Sequence, residues 1–396
     1  MDRLRIGMVG AGVGRGQSWM SSLAKLTRYS QLYEFCGFCE VNEAKRAASA
    51  ETWGVPGYAS LLEMLDGAGP DAVLGAAPPD ANPMILGVCA ARGVHVMTEI
   101  PIAPTLAMAD SMVETARGAG IVFEVAEQVW LWAEEQLKRA IIAAGLIGEP
   151  QHARLYYTNK ADYHGINGIR MLVPGEVVRV LGATGEVTVP PFRHFTGPIM
   201  TRSHWDLGVF EFSSGVRCIF ESPPRGRMPR RWDVEGSLGT LFGEALCIGG
   251  QGDYEQFDFI SEHTEVEGDR VFDHVRVDTD PPVVLENPYR AWRADSGDEV
   301  ARMGLLEGFH RAITEGSAPA YGTDNARRDL ELLFAIRESD ARGGGWVELP
   351  LSQPTALEAA IEAAYVETYG DWTRPESLVD VPYRQGGVRL DVGGWD

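Results

Sequence analysis

Over the first 128 residues, apolar runs of strand length take turns with segments of helical periodicity. That alternation restricts the fold more than any other feature of the chain. "LRIGMVG", "YEFCGFCEV", "DAVLGAAPP", "VHVMTEIP" and "IVFEVAEQ" read as five strands, apolar throughout as strands covered on both faces are. Between them, "NEAKRAASAETWG" opens on Asn42 as a capping residue and stops at Gly54, and "SLLEML" opens on Ser60 with Glu63 three residues on. "NPMILGVCAARG" has Asn82 as cap, Pro83 at the first helical position and Gly93 at its end. "TLAMADSMVETARGAG" puts Leu106, Ala109, Met112, Val113 and Ala116 on one helical face. Strand and helix in rotation predict an α/β fold with a doubly wound parallel sheet over residues 1–128.

From Ala133 the pattern changes. "AEEQLKRAIIAAGLIGEP" is a helix halted by Gly145, and the runs beyond it are β-rich: "QHARLYYTN", "GEVVRVLGA", "DLGVFEFSSGVRCIFES" and "DVEGSLGTLFG". Residues 129–350 are therefore expected to form a second α/β domain on a large, mostly antiparallel, open-faced sheet, with helices at "EVARMGLLEGFHRAITEG" and "NARRDLELLFAIRESDARGGG". The open face is expected to serve a homo-oligomer, a dimer or tetramer. Residues 351–396 read as a C-terminal extension, a helix in "TALEAAIEAAYVETYG" and then a Pro/Gly-rich tail.

Charge removes several partners. Lys+Arg number 35 against 56 Asp+Glu, a net −21, which repels nucleic acid and anionic lipid. The expected partner is a small molecule, and any anionic group on it must rely on local donors such as a helix N-terminus. No apolar run approaches the length of a membrane span, about 18 residues. "MDRLRIGMVGAG" enters a strand without a signal-peptide pattern, and five cysteines in 396 residues suit a reduced, cytoplasmic setting. Cys36 and Cys39 form a C-x-x-C inside a strand, where their Cα atoms would be about 10 Å apart on opposite faces, so they read as core residues. Neither H-E-x-x-H, paired-Cys zinc spacing nor G-x-S-x-G occurs, so no metal or hydrolytic serine is expected.

The first motif with chemistry is "GAGVGRG", where Gly10, Gly12, Gly14 and Gly16 lie between a strand and a helix. Glycines admit a pyrophosphate close to the backbone, and the helix N-terminus behind them supplies N–H donors. The usual spacing would place a third glycine at position 15, which is Arg15; Val13 and Arg15 are assigned to the cofactor with the glycines. Glu40 ends the next strand, where its carboxylate would accept from both ribose hydroxyls of an adenosine and repel a 2′-phosphate. NAD is the expected cofactor. Pro78, Glu99, Pro101 and Glu127 stand at or just past later strand ends, on the carboxyl edge where such sheets hold ligands.

"IGMVGAG", the strand-end acid, "GVHVMTEIPIA" before a helix, and the late "FHRAITEGSAP…DLELLFAIRESDARGGGWVELP" resemble the glucose–fructose oxidoreductase, inositol dehydrogenase and rhizopine-catabolism family (Gfo/Idh/MocA) over roughly residues 1 to 350. The resemblance implies a Rossmann domain joined to an open-sheet α/β domain, and NAD(P)-dependent chemistry mostly on sugars and cyclitols. That family usually has Glu-Lys-Pro where this chain has Glu99-Ile100-Pro101, so its lysine chemistry does not carry over to Ile100. "NKADYHGINGIRMLVPGEVVRVLG" is similar to the family stretch that holds a catalytic histidine, which places that role on His164. Lys160 stands where the family often has an aspartate. A helix reaching back that far would put Lys160, His164 and Asn167 on one face, and a cation displaced from one motif to the other.

Oxidising a secondary alcohol needs a base for the hydroxyl proton, and a histidine, with its pKa near about 6.5, suits that at neutral pH. His164 is the expected base, with Lys160 or Tyr163 polarising the oxygen and Tyr157, Asn167 and Glu99 touching substrate. "SHWD" (His204–Asp206) reads as a turn into a strand, and "PRGRMPRRW" is a basic island with Arg225, Arg227, Arg230 and Arg231. The function expected is an NAD-dependent oxidoreductase of a sugar, glycoside or cyclitol. Two alternatives stay open: a glycoside lyase or hydrolase using bound NAD for transient oxidation, and a non-catalytic NAD-binding regulatory protein.

Overall fold

The computed structural model describes residues 3–12, 14–156, 162–193, 199–224, 231–250, 252–384 and 387–388. Its first layer contains β1 (Leu4–Val9), α1 (Arg15–Tyr29), β2 (Tyr33–Cys39), α2 (Glu43–Trp53), β3 (Gly57–Tyr58), α3 (Leu61–Ala68), β4 (Ala72–Gly75), α4 (Asn82–Ala90), β5 (His95–Thr98), α5 (Leu106–Ala119) and β6 (Phe123–Val125). All strand pairings in this sheet are parallel, in the order β3-β2-β1-β4-β5-β6. The Rossmann arrangement is thus present, with the order reversing between β1 and β4, where sheets of this kind hold ligands. The sixth strand, β3, is an edge of two residues, too short to leave a pattern in the sequence.

Local signals act as expected at most helix ends. The Asn42 side chain accepts from Lys45 N at 3.0 Å, Ser60 Oγ accepts from Glu63 N, and Gly54 closes α2 in the left-handed region. Asn82 does not cap α4. Its amide turns inward and donates to the carbonyls of Glu99 (3.3 Å) and Pro101 (3.1 Å), tying the segment after β4 to the turn after β5. Cys36 and Cys39 are buried and unpaired, and burial pushes their thiols up to about 11 and about 12.

The second layer follows α6 (Ala133–Ala143). It contains β7 (Pro150–Tyr156), α7 (Asp162–Leu172), β8 (Val177–Arg193), β9 (Ile199–Phe212), β10 (Arg217–Ser222), β11 (Arg231–Gly236), β12 (Gly239–Leu241), β13 (Ala245–Gly250) and β14 (Asp253–Asp258). A hairpin sheet of β15 (Ile260–Val266), β16 (Asp269–Val277) and β17 (Val283–Glu286) comes next, then α8 (Gly297–Glu315), α9 (Thr323–Ala341), β18 (Val347–Glu348) and α10 (Ala356–Tyr369). The large sheet has nine strands in the order β14-β13-β12-β11-β7-β10-β9-β8-β18, antiparallel except for β10 on β7. His204–Asp206, expected as a turn, lie inside β9, where Asp206 pairs with Arg337 at 2.9 Å. Alternation runs straight through "SHWD", and a turn would have broken the sheet's longest pairing. α7 and α9 cover one face, while Leu207 and Ile219 are exposed on β9 and β10.

The two layers are joined where α1 and the start of β2 meet α8. Tyr33 donates to Leu306 O at 2.8 Å, Lys25 to Glu299 at 2.6 Å, and Arg302 Nε to Ser22 Oγ at 3.0 Å. Buried Glu124, in β6, accepts from Tyr321 N and Gly322 N at the start of α9. α10 returns to the first layer, where Glu358 accepts from Leu106 N and Glu362 from the Thr105 hydroxyl. No described helix is long and apolar enough to cross a membrane.

Candidate active site

The turn between β1 and α1 is shaped by close approach on one side and open space on the other. A Cβ on Gly10 (φ +91°) would stand 2.6 Å from Ala76 O, and one on Gly16 2.6 Å from Gly10 O. Gly16, not position 15, therefore meets the requirement for helix and strand to touch, in a turn one residue longer than the usual spacing. Around Gly12 and Gly14 a Cβ would meet nothing within 4 Å, so the outer surface of the turn is a cradle with room for a ligand. α1 begins at Arg15 directly after it, with no side chain capping its first turn, where a helix leaves N–H groups without helical partners. Val13 lies outside the described residues.

Gly10 N donates to Cys39 O at 2.8 Å, which sets Glu40 beside the turn; Glu40 Oε1 accepts from Asn42 N at 2.9 Å. Pro78 begins the turn Pro79–Ala81 beyond β4. Glu99 lies just past β5, next to a cis Ile100–Pro101 bond, and accepts from Arg15 Nε at 2.8 Å and Trp19 Nε1 at 2.5 Å. These residues fit a dinucleotide: an open glycine cradle, a helix N-terminus and a strand-end acid share one edge of the sheet.

His164 sits in the first turn of α7, its side chain 16% exposed, with Nδ1 2.8 Å from both oxygens of fully buried Glu127. Glu127 also accepts from Val129 N at 2.9 Å, which fixes its carboxylate just past β6. A carboxylate on Nδ1 favours the tautomer protonated there, so the neutral ring carries its basic lone pair on Nε2. Both oxygens of Glu127, expected as a cofactor or substrate contact, face His164.

A second chain of contacts closes the edge. Trp132 Nε1 donates to Asp298 at 3.1 Å, and Arg15 bridges Asp298 (3.3 Å) to Glu99. Burial disfavours the charged Arg15 guanidinium, but Glu99, Asp298 and then Glu127 outweigh it and raise its pKa. Burial likewise opposes ionised Asp298, yet Arg15 and Arg302 hold it below the ordinary carboxylate range. The sequence reading missed Asp298 and Trp132. The only signal was an acid two residues after the Ser296 cap, which is ordinary at a helix start.

Tyr163 and Asn167 point elsewhere. The Tyr163 hydroxyl is buried and donates to Ala326 O at 2.7 Å, and burial pushes its pKa well up. Asn167 donates to Asp329 at 2.9 Å, and Arg170 and Tyr321 bind the same carboxylate. Both side chains belong to the α7–α9 packing, a placement that does not support proton transfer by Tyr163 or substrate contact by Asn167. α7 begins at Asp162, so no helix is described back to Lys160, which lies outside the described residues with Tyr157, Arg225, Arg227 and Arg230. Arg231 pairs with Asp233 at 2.8 Å. Among the described residues one acidic–histidine group, Asp273, His274 and Glu286, is close enough to hold a metal, but Arg290 already pairs with both carboxylates.

Residues 4–127 match the model of the family described as "Oxidoreductase family, NAD-binding Rossmann fold", GFO_IDH_MocA. Over that stretch the chain is a match to the NAD-binding Rossmann unit of Gfo/Idh/MocA oxidoreductases. Solved structures extend the likeness across the chain. A levoglucosan dehydrogenase in complex with NADH and levoglucosan is 18% identical, covering 88% of this chain and 100% of its own at a TM-score of 0.67. An oxidoreductase from Agrobacterium radiobacter in complex with NAD+, L-tartaric acid and magnesium is 16% identical, with 87% and 98% covered and a TM-score of 0.67. The myo-inositol 2-dehydrogenase from Lactobacillus plantarum is 16% identical, with 88% and 99% covered and a TM-score of 0.61. At such identities the likeness is one of fold. Comparison with curated proteins returns no match. The family model describes its unit as NAD-binding, and residues 4–127 are the part of this chain that it matches.

Proposed function

We propose that this Gfo/Idh/MocA oxidoreductase transfers hydride between NAD and a secondary hydroxyl of a sugar, glycoside or cyclitol, with His164 as the base. The observation that carries the reading is the His164–Glu127 pair, a partly exposed imidazole backed by a fully buried carboxylate. His164 Nε2 takes the hydroxyl proton, and Glu127 stabilises the imidazolium that results. NAD, when bound, supplies the hydride acceptor. The glycine cradle and the α1 N-terminus hold its pyrophosphate, Glu40 its adenosine ribose, and Glu99 with Pro78 and Pro101 the edge of the cleft. Arg15 and Arg302 together offset the charges of Glu99 and Asp298, so an alkoxide forming nearby meets less repulsion.

The division at residue 128, the second unit to residue 350 and the extension beyond it serve this chemistry as cofactor domain, substrate domain and tail. The exposed row through Leu207 and Ile219 is the face on which copies of the chain would pair. A cytoplasmic setting fits five unpaired cysteines.

The test is the NADH absorbance produced when the protein meets NAD and a panel of cyclitols, free sugars and glycosides, counted per mole of protein. Many equivalents, abolished by His164→Ala, are expected. Sugar turnover with one equivalent or less would replace the dehydrogenase by a transient-redox lyase. Full function in His164→Ala would remove the catalytic reading.

A further inference from the structure

Besides the Glu358 and Glu362 contacts to α5, α10 and the chain beyond it converge on one residue of the first layer, Asp80. Tyr365 donates to Asp80 O at 2.8 Å, and Val388 N donates to Asp80 Oδ2 at 2.8 Å. Asp80 is fully buried in the turn Pro79–Ala81 that joins β4 to α4. Packing fastens the same place. A Cβ on Gly87 of α4 would lie 2.3 Å from Pro375 Cγ, and one on Gly387 (φ +67°) 2.6 Å from Asp80 Oδ1. Tyr369 meets Tyr365 and Tyr383 at 5.1 and 5.0 Å between ring centres, and Leu378 and Val388 are buried.

The opposite side of that turn is the cofactor edge. Ala76 O closes against Gly10 of the glycine turn, and Asn82 donates to the carbonyls of Glu99 and Pro101. Residues 76–82 therefore lie between the glycine turn and the Glu99 turn, with the C-terminal segment gripping them from outside.

We infer that the C-terminal segment is an intramolecular clamp and Asp80 its positioning residue, holding residues 76–82 in the conformation that NAD binds. The inference rests on the NAD-binding reading of the cleft. A segment ordered from behind need not be ordered by the ligand, so affinity follows the fraction of molecules with the clamp closed. The coupling is reciprocal, and bound NAD tightens the clamp.

Two full-length variants test this. Gly387→Ala adds a methyl group against Asp80 at a backbone conformation alanine disfavours, and Tyr365→Phe removes one hydrogen bond with little change of shape. NAD dissociation constants are measured by calorimetric titration beside melting temperatures, and hydrogen exchange of the Val388 amide is followed with and without NAD. The expected result is a dissociation constant raised about tenfold in Gly387→Ala, as for a clamp closed a tenth of the time, and less in Tyr365→Phe. Slower exchange at Val388 with NAD is expected in the unaltered protein. Unchanged affinity in both variants, even with lowered melting temperatures, would make the segment a structural brace and overturn the inference, as would exchange indifferent to NAD. If the unaltered protein bound no NAD, the cofactor reading would fail and this one with it.

Discussion

Glu127→Gln isolates electrostatics from shape. Both Glu127 oxygens lie 2.8 Å from His164 Nδ1, and one also accepts from Val129 N. Glutamine keeps a carbonyl for Val129, which leaves its NH₂ facing His164. That NH₂ competes with the Nδ1 proton, which raises the share of the ring protonated on Nε2, the wrong tautomer for a base, even though the carbonyl stays within reach of Nδ1. The carboxylate's attraction for the imidazolium is lost as well. For charges about 4 Å apart at an effective dielectric of about 20 that is about 4 kcal/mol, or about 10³-fold in rate. The folded state keeps a neutral hydrogen bond, so the melting temperature should move by only a few degrees. The assay is kcat/KM over a pH series on whichever panel substrate the unaltered protein oxidises, with NAD affinity and melting temperature as controls. A Glu127→Gln protein within about threefold of full activity would refute the pairing argument; the same loss arising only from weakened NAD binding would return Glu127 to the cofactor.

The glycine turn gives a contrasting pair: Gly16→Ala should cost about 1–3 kcal/mol of stability in denaturant melts, because its methyl group meets Gly10 O, whereas Gly12→Ala should melt normally yet bind NAD at least about tenfold more weakly by titration. Glu40→Ala should shrink the preference for NAD over NADP, read as the ratio of their dissociation constants, and an unchanged ratio would sink the ribose assignment. Acid should loosen the contact between α1 and α8. Burial opposes ionised Asp298 and Asp295, but Arg15 and Arg302 for the first and Lys25 for the second depress their pKa values below the ordinary value. Their stabilisation is therefore fully present above about pH 4, the unfolded value, and is lost as pH falls through the lower folded values. Urea midpoints should fall less steeply with acid in Asp298→Asn than in the unaltered protein, and parallel curves would deny the carboxylate that role.

The parts legible in the sequence are those written in short-range chemistry. Buried parallel strands, the Asn42 and Ser60 caps and the glycine turn each follow from a few adjacent residues. What stayed hidden was set by distant partners. Asn82 looks like a cap because asparagine before Pro83 usually is one, but carbonyls seventeen to twenty residues on claim its amide. Tyr163 adjoins His164 in sequence, yet successive helix residues point about 100° apart, and Asp329 and Ala326 on α9 draw its side of α7 inward. Asp298 reads in sequence as an ordinary helix-start acid, because its importance comes from Arg15, 283 residues away.

The same contrast bears on Ile100. As a linear motif the turn has lost its lysine, and Lys160 is the cation that the sequence offers in its place. Geometry offers a nearer source. Arg15, an apparent flaw in the glycine spacing, projects from the first residue of α1 to Glu99, the neighbour of Ile100, while Gly16 does the packing that the flaw seemed to forbid. Its charge is held by Glu99 and Asp298, on opposite layers of the molecule, and is felt by Glu127 behind His164. A guanidinium so committed is less mobile than a lysine and cannot lose its proton at ordinary pH, so it suits holding an electrostatic balance rather than shuttling protons. That leaves His164, with Glu127 behind it, as the group to which proton transfer is assigned.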